Sequence, residues 1–245
     1  GVGQGGNNKS GKDHPQYKDL DQVLYSIGYH STLMGERKVG VEHYAKLVRQ
    51  RPQSPLVPDA LLNIGDYFFG NNEFQQALAF YDKVRQFGKT RVFGYAVYKS
   101  GWAWFNLGDK AKALNEFYET VKWTRIAEKQ GFAAALDLRS EAQNDMVRAY
   151  SFIGAPQKAV PFFKQIAPEI YIKLCEKLGI IYTNDSNYGS SNRLYKALIK
   201  EVGPDDHRGL QYQREVVYNT FKSGDKNRTK DEIEALTGAL THLVG

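Results

Sequence analysis

The sequence predicts an all-α fold in which short helical hairpins repeat along the chain and stack into a solenoid. From residue 20 onward, apolar residues recur at helical spacing, as in Leu61, Leu62, Ile64 and Phe68. Turn-forming segments such as "GNNE", "LGDK" and "IGAP" separate these stretches. No stretch shows the alternation of apolar and polar residues that a half-buried strand would require.

The third observation is an internal repeat of small and aromatic residues. Five copies place three residues at offsets 0, 12 and 16, with Gly, Ala or Ser in the middle and an aromatic residue last. The copies are Gly28, Gly40, Tyr44; Gly65, Ala77, Tyr81; Gly101, Ala113, Phe117; Val147, Ala159, Phe163; and Gly179, Ser191, Tyr195. We predict that the small residues let two helices approach closely and that the aromatic residue fills the space beyond. Each hairpin then exposes an apolar face that only a neighbouring hairpin can bury.

The repeat divides the chain into a linker and one superhelical domain. Residues 1–18 contain almost no apolar side chain, so we expect a flexible linker there, and residues 19–245 should form the domain. The predicted repeats are 21–54, 58–91, 94–130, 140–168 and 172–204, followed by a capping hairpin at 206–243.

Two segments depart from the regular spacing. The extra residues in 122–138 should lengthen a helix, add a turn at Gly131 and offer a contact surface of their own. The segment "TNDSNYGSS" (183–191) is a poor beginning for the second helix of its hairpin.

These residues resemble the tetratricopeptide repeat, a helical hairpin of about 34 residues. The match is close in 60–84 and 96–121, good in 21–52, and looser in 140–168, where Val147 replaces the Gly. The resemblance implies an α-α superhelix of about five tetratricopeptide repeats plus the cap. It also implies a non-catalytic scaffold or adaptor that binds a protein or peptide.

A narrower resemblance lies in the connector "RPQSPLVPD" (51–59). It is similar to connectors in tetratricopeptide proteins of the Gram-negative cell envelope, including those attached to gliding-motility machines. It implies a periplasmic or outer-membrane-associated protein of an envelope or motility complex, and a cytoplasmic location stays open. No stretch approaches the roughly 20 apolar residues that span a bilayer. We therefore expect membrane association only through a removed anchor or a partner.

Searches for catalytic motifs do not favour an enzyme. "GGNNKSGKD" (5–13) is one residue short of a P-loop, but Asp13 stands where the Mg²⁺-binding hydroxyl should be and no parallel-sheet pattern follows it. The five histidines form no metal-binding pair, and Cys175, the only cysteine, falls on a core position. We therefore expect no catalytic residues, no cofactor, no metal and no nucleotide.

The resemblance assigns a partner-binding groove to the first helix of each repeat. Carried across by position, the groove residues are Tyr25, Tyr29, Asn63, Asp66, Phe69, Tyr95, Tyr98, Lys99, Trp102, Phe105 and Arg148, with Leu33, Leu62, Asn144, Asp145 and Phe152 beside them. Aromatic anchors of this kind dominate protein interfaces, and Lys99 and Arg148 could pair with an acidic group. The alternative is that several of these aromatics pack the next repeat.

Three other binding modes are alternatives to this groove. One alternative is a carboxylate clamp, with which chaperone cochaperones of the family hold a C-terminal carboxylate. Of the residues that form such a clamp, this sequence retains only Asn63 and, in place of an Arg, Lys99. A nucleic-acid or polysaccharide binder would use the net charge of +6, but it needs basic residues on the face of the aromatics. Most of the basic residues (Lys46, Arg49, Lys83, Arg85, Lys110, Lys112) fall on second helices, which should face outward, so nucleic acid is the less favoured partner. A structural or oligomerising module, whose groove is closed by other copies of the chain or by its own Gly-rich N-terminal arm, is the third alternative.

Overall fold

The computed structural model describes residues 18–88, 90–131 and 135–244, and these residues contain twelve α-helices. For residues 135 and 136 it describes the backbone but not the side chains. The helices are α1 (Leu20–Leu33), α2 (Arg37–Gln50), α3 (Val57–Gly70), α4 (Phe74–Gln86), α5 (Phe93–Asn106), α6 (Lys110–Lys129), α7 (Ala135–Ile153), α8 (Ala159–Ile166), α9 (Tyr171–Asn184), α10 (Tyr188–Val202), α11 (Arg208–Lys222) and α12 (Lys226–Val244). No strand occurs in these ranges, so the all-α prediction is confirmed. The predicted linker, apart from Lys18, lies outside the described residues.

The helices pair in chain order into six hairpins, from α1–α2 to α11–α12. The second helix of each hairpin packs on the first helix of the next hairpin. The first helices α3, α5, α7 and α9 also pack on one another in turn. Contacts therefore run from each hairpin to its neighbours along the chain, which is the organisation of a solenoid.

In four hairpins an aromatic ring of the second helix lies directly against a glycine of the first. A Cβ atom added to the glycine would lie 2.7 Å from Tyr44 at Gly28, 2.5 Å from Tyr81 at Gly65, 2.6 Å from Phe117 at Gly101 and 2.6 Å from Tyr195 at Gly179. Real Cβ atoms essentially never come this close to another heavy atom. The prediction that small residues bring the two helices together is confirmed, but each ring lies on its glycine and not in the space beyond it.

The middle position of the repeat lies at the closest backbone approach. A Cβ at Gly40 would lie 2.8 Å from the carbonyl oxygen of Gly28. In the fifth hairpin Ser191 occupies the same position, and its hydroxyl donates a hydrogen bond of 3.1 Å to the carbonyl oxygen of Gly179. A small or hydroxyl-bearing side chain is therefore required there, because anything larger would push the helices apart.

Five of the six hairpins turn through a three-residue loop whose middle residue has positive φ. These residues are Gly35 (85°), Asn72 (62°), Gly108 (91°), Ser186 (58°) and Gly224 (84°). The segment with Ser186 therefore does begin a helix, contrary to the sequence-based expectation. Ser186 adopts the left-handed conformation, and the side-chain oxygen of Asn187 accepts a hydrogen bond of 3.3 Å from the backbone N–H of Ser190.

Four of the described residues in 122–138 are buried, namely Trp123, Thr124, Ala127 and Leu138. α6 continues to Lys129, and the chain turns at Gly131, which has a φ of 80°. The Trp123 ring covers Gly94 at the beginning of α5, where a Cβ would lie 2.2 Å from that ring. Trp123, Ala127 and Leu138 are buried together. These buried residues join α5, α6 and α7, while Ile126 is 41% exposed, so the expected contact surface stays a prediction.

The core runs as a series of buried clusters along the solenoid. Cys175 lies in the cluster that extends from α6 to α11, with no exposed surface. Burial raises the pKa of the Cys175 thiol to about 12. A thiol that stays protonated and buried is a poor nucleophile, in agreement with a packing role.

Substituting Gly65 by Ala should destabilise the protein, because its Cβ would meet the Tyr81 ring. We expect a loss of about 1–3 kcal/mol in the free energy of unfolding, measured by chemical denaturation. Gly238→Ala is the matched control, since Gly238 also lies within a helix but nothing surrounds its added Cβ. That control should be neutral or stabilising by up to about 1 kcal/mol. Equal effects of the two changes would contradict the ring-on-glycine contact.

Cys175 should not react with a disulfide reagent such as DTNB at pH 8 while the protein is folded. The reaction requires an accessible thiolate, whereas the Cys175 thiol is buried and its raised pKa keeps it protonated at pH 8. Release of thionitrobenzoate is the readout. One thiol per chain should appear after unfolding in guanidinium, because the sequence contains a single cysteine. Rapid stoichiometric labelling of the native protein would show that the site is open.

Candidate functional site

The predicted groove residues lie on α1, α3, α5 and α7. We call the surface formed by these first helices the first-helix face. Tyr25 and Tyr29 lie on α1, Asn63, Asp66 and Phe69 on α3, Tyr95, Tyr98, Lys99, Trp102 and Phe105 on α5, and Arg148 on α7. Because α3, α5 and α7 pack side by side, the residues on these three helices share one continuous surface.

Tyr98 and Trp102 are bound to the next repeat. The Tyr98 hydroxyl donates to Asp145 Oδ2 at 2.5 Å, and the Trp102 indole N–H donates to the same oxygen at 3.1 Å. Both rings also lie against Phe117, with centroid separations of 5.8 and 5.7 Å. Burial and the bond to Asp145 raise the pKa of Tyr98. For these two aromatics the packing alternative applies, since they join α5 to α6 and α7.

The polar groups on α3 also have partners within the protein. Asp66 Oδ1 accepts a hydrogen bond of 2.7 Å from the Tyr81 hydroxyl and lies 3.7 Å from the ammonium of Lys99. The same ammonium lies 5.6 Å from the centroid of the Phe69 ring. Asn63 donates to the carbonyl oxygen of Asp59 at 2.8 Å. The two residues that match a carboxylate clamp, Asn63 and Lys99, are therefore both engaged already.

Three tyrosines of the predicted set have different surroundings. Tyr25 is half-buried, and its ring centroid lies 5.4 Å from that of Tyr44. Tyr95 packs on the buried cluster that contains Trp123. Tyr29 is 46% exposed at the α1 end of the first-helix face. Of the three, Tyr29 offers the most surface to a partner.

An accessible aromatic surface of the first-helix face lies where α5, α6 and α7 meet. The rings of Phe105 and Phe152 are edge to face at 5.7 Å, and Phe152 is 61% exposed. The ammonium of Lys110 lies 3.4 Å from the centroid of Phe105 and 5.2 Å from that of Phe152. The guanidinium of Arg148 lies 5.6 Å from the centroid of Phe105. We call these four residues the Phe105–Phe152 cluster.

This cluster corrects the expectation for Lys110. Although Lys110 begins a second helix, its side chain reaches back over Phe105 and donates to the Phe105 carbonyl oxygen. Desolvation and the charge of Arg148 lower the pKa of the Lys110 ammonium. Among the described residues no carboxylate lies within ion-pair distance of Lys110 or Arg148. Two cations thus flank a half-buried ring, Phe105, and an exposed ring, Phe152, and both rings attract cations through their faces.

The sequence pattern did not find two features of this face. Asp145 was placed on the groove, but nothing marked it as the acceptor that holds α5 to α7. Lys110 could not be placed because its position depends on how the α5–α6 loop closes. Conservation of an acidic residue at position 145 together with a Tyr and a Trp at positions 98 and 102 would have indicated the role of Asp145. Conservation cannot be read from one sequence.

Two further properties bear on function. Within the described ranges, no group of His, Cys, Asp or Glu residues could hold a metal ion. None of the helices described is both long enough and apolar enough to cross a membrane.

Comparison with known proteins identifies the fold. No protein-family model matches the chain, and no curated protein matches it. A tetratricopeptide repeat protein from Parabacteroides merdae superimposes with a TM-score of 0.53 at 19% identity, covering 90% of this chain and 80% of that one. The MamA protein gives a TM-score of 0.53 at 15% identity, covering 85% of this chain and 96% of that one.

Both likenesses extend over most of the two chains, and both agree with the succession of helical hairpins. Identities this low show the fold alone. The chain therefore has the tetratricopeptide-repeat fold, an α-α superhelix.

Proposed function

We propose that this protein is a non-catalytic scaffold or adaptor that binds a protein partner through its first-helix face, with the Phe105–Phe152 cluster as the main anchor. The observation that carries the proposal is the exposed Phe152 ring beside Phe105, flanked by Lys110 and Arg148. Aromatic and arginine side chains are the residues on which interface energies most often depend.

The arrangement favours a partner that carries both an apolar and an acidic group. An apolar side chain would cover the Phe152 ring, and a carboxylate would pair with Arg148 or Lys110. Because Lys110 and Arg148 lie on α6 and α7, such a partner would bridge the third and fourth hairpins. Tyr29 extends the surface toward α1. Tyr98 and Trp102 contribute mainly by holding the face in shape, since Asp145 and Phe117 already contact them.

A nucleic-acid or polysaccharide ligand is the second candidate. Its requirement was that cations share the face of the aromatics, and Lys110 and Arg148 do so beside Phe105. Two cations supply a small electrostatic contribution compared with the several phosphate contacts of a typical nucleic-acid site. Binding to single-stranded DNA that weakens steeply with salt would favour this candidate over a protein partner.

The envelope or motility setting is also a proposal. It rests on the Pro-x-Ser-Pro connector at 52–55, whose Ser54 hydroxyl donates to Asp21 Oδ2 at 2.6 Å and accepts from the backbone N–H of Leu56 at 3.2 Å. These bonds join α1 to the beginning of α3, so the motif also has a packing role. Cell fractionation of the native protein tests the setting, and recovery in the cytosol alone would contradict it.

The double substitution Phe152→Ala/Arg148→Ala should weaken partner binding without unfolding the protein, because both side chains are exposed. Partners captured from lysate of the native organism by the unmodified protein are identified, purified and titrated by calorimetry. We expect the variant to lose about 2 kcal/mol of binding free energy, about 30-fold in Kd.

Phe221→Ala/Arg214→Ala is the matched control for that experiment. It removes the same residue types from exposed positions on α11, far along the solenoid. The control should bind as the unmodified protein does. If both variants bind equally well, the Phe105–Phe152 cluster is not the anchor.

A further inference from the structure

A second, apolar cleft lies on the side of the second helices. α2 and α4 form its walls, α3 forms its floor, and its volume is about 600 Å³. No residue of the first-helix site described above lines it. The lining is formed by Val41, Ala45, Val48, Arg49, Pro52, Val57, Leu61, Ile64, Phe68, Phe80, Lys83, Gln86 and Phe87. We call it the α2–α4 cleft.

The floor of the cleft is buried, and its walls are partly exposed. Val57, Leu61 and Ile64 on α3 are at most 3% exposed. Phe68 and Phe80 stack above this floor, with ring centroids 5.3 Å apart and planes 13° apart. The Phe87 ring at the end of α4 is 46% exposed. An apolar trough of this kind is typical of a surface that receives another apolar element.

The charge of the cleft restricts what can occupy it. Arg49 on α2 and Lys83 on α4 are the only charged residues of the lining, and both are exposed cations. Within the described part of the chain neither forms an ion pair, and Lys83 lies 4.6 Å from the centroid of Phe80. Walls of this type are complementary to an apolar element whose flanks carry carboxylates.

The dimensions fit a helix. Between Val41 and Arg49, α2 borders the cleft for about 12 Å at about 1.5 Å per residue, slightly more than two turns. A trough with two helical walls leaves one side of any occupant in water. A small ligand normally buries most of its surface, whereas an amphipathic helix needs to bury only its apolar stripe.

We propose that the α2–α4 cleft is a second docking surface, which binds an amphipathic helix of a partner protein through apolar side chains at i, i+3 or i+4 and i+7 flanked by Asp or Glu. The apolar stripe would lie on Leu61, Ile64 and Phe68, and the acidic flanks would face Arg49 and Lys83. This surface is separate from the first-helix face, so a single chain could hold two partners at once.

The test uses a designed helical peptide of about three turns with a Leu and Phe stripe and Glu flanks, labelled with a fluorophore, and measures its anisotropy with the full chain. We expect saturable binding that Arg49→Glu/Lys83→Glu weakens on the order of tenfold or more. Lys38→Glu/Lys46→Glu is the control, because it makes the same charge change at exposed positions of α2 outside the lining. Amide chemical shifts should locate the peptide at Leu61, Ile64 and Phe68.

Several results would overturn the proposal. These are no binding at millimolar peptide, equal binding of a peptide with Lys flanks, or equal loss in the two charge-reversed variants. A dimer in analytical ultracentrifugation that the Arg49→Glu/Lys83→Glu change dissolves would identify a second copy of this chain as the occupant instead. The Phe152→Ala/Arg148→Ala variant should bind the peptide normally, so failure here and failure of the first-helix site are distinguishable.

Discussion

The approach of an aromatic ring to a glycine sets the separation of the two helices in four of the six hairpins. Tyr44, Tyr81, Phe117 and Tyr195 each lie where a side chain on the facing glycine would have to be. Burial of such a ring contributes about 1.5–3 kcal/mol, and the Tyr195 ring also stacks on Tyr212 of the next hairpin, with ring centroids 5.9 Å apart. Helix separation and core packing within these hairpins therefore both depend on this single contact.

The fourth hairpin shows what replaces that contact when the glycine is missing. Val147 occupies the glycine position, and Phe163 lies instead against Tyr150, with ring centroids 5.2 Å apart. α8 is the shortest of the helices described, and a 3-10 turn at Pro156–Lys158 replaces the three-residue loop. The departure falls directly beside the Phe105–Phe152 cluster. The aromatic cluster proposed as the anchor thus lies next to the least regular hairpin.

The sequence predicted the fold well because the signals that determine it are local and repeated. Residues at offsets of 12 and 16 within one hairpin mark where its two helices cross, and this signal does not depend on the other hairpins. The site was harder to predict, since side chains on the first-helix face divide between packing and exposure. Trp102 and Phe105 lie one turn apart on α5, yet Trp102 is tied to Asp145 while Phe105 joins an exposed cluster. That division depends on α7, whose approach is set by Trp123 and the lengthened α6.

The sequence pattern also did not predict the α2–α4 cleft between two second helices. Val41, Ala45 and Val48 form an ordinary apolar stripe on α2, and such a stripe normally predicts burial. Whether the stripe is covered depends on the angle between successive hairpins, which no single helix encodes.

The order of contacts along the chain has a consequence for how the protein reaches this fold. In the described part of the chain, the main helix contacts join helices that are one or two steps apart in sequence. Closing such short loops costs little conformational entropy, and domains with mainly local contacts fold quickly. Any adjacent pair of hairpins can serve as a nucleus, after which growth in either direction adds one interface at a time. The fold therefore forms by adding hairpins one after another to those already folded. Its length can change by whole hairpins without disturbing the interfaces between the others.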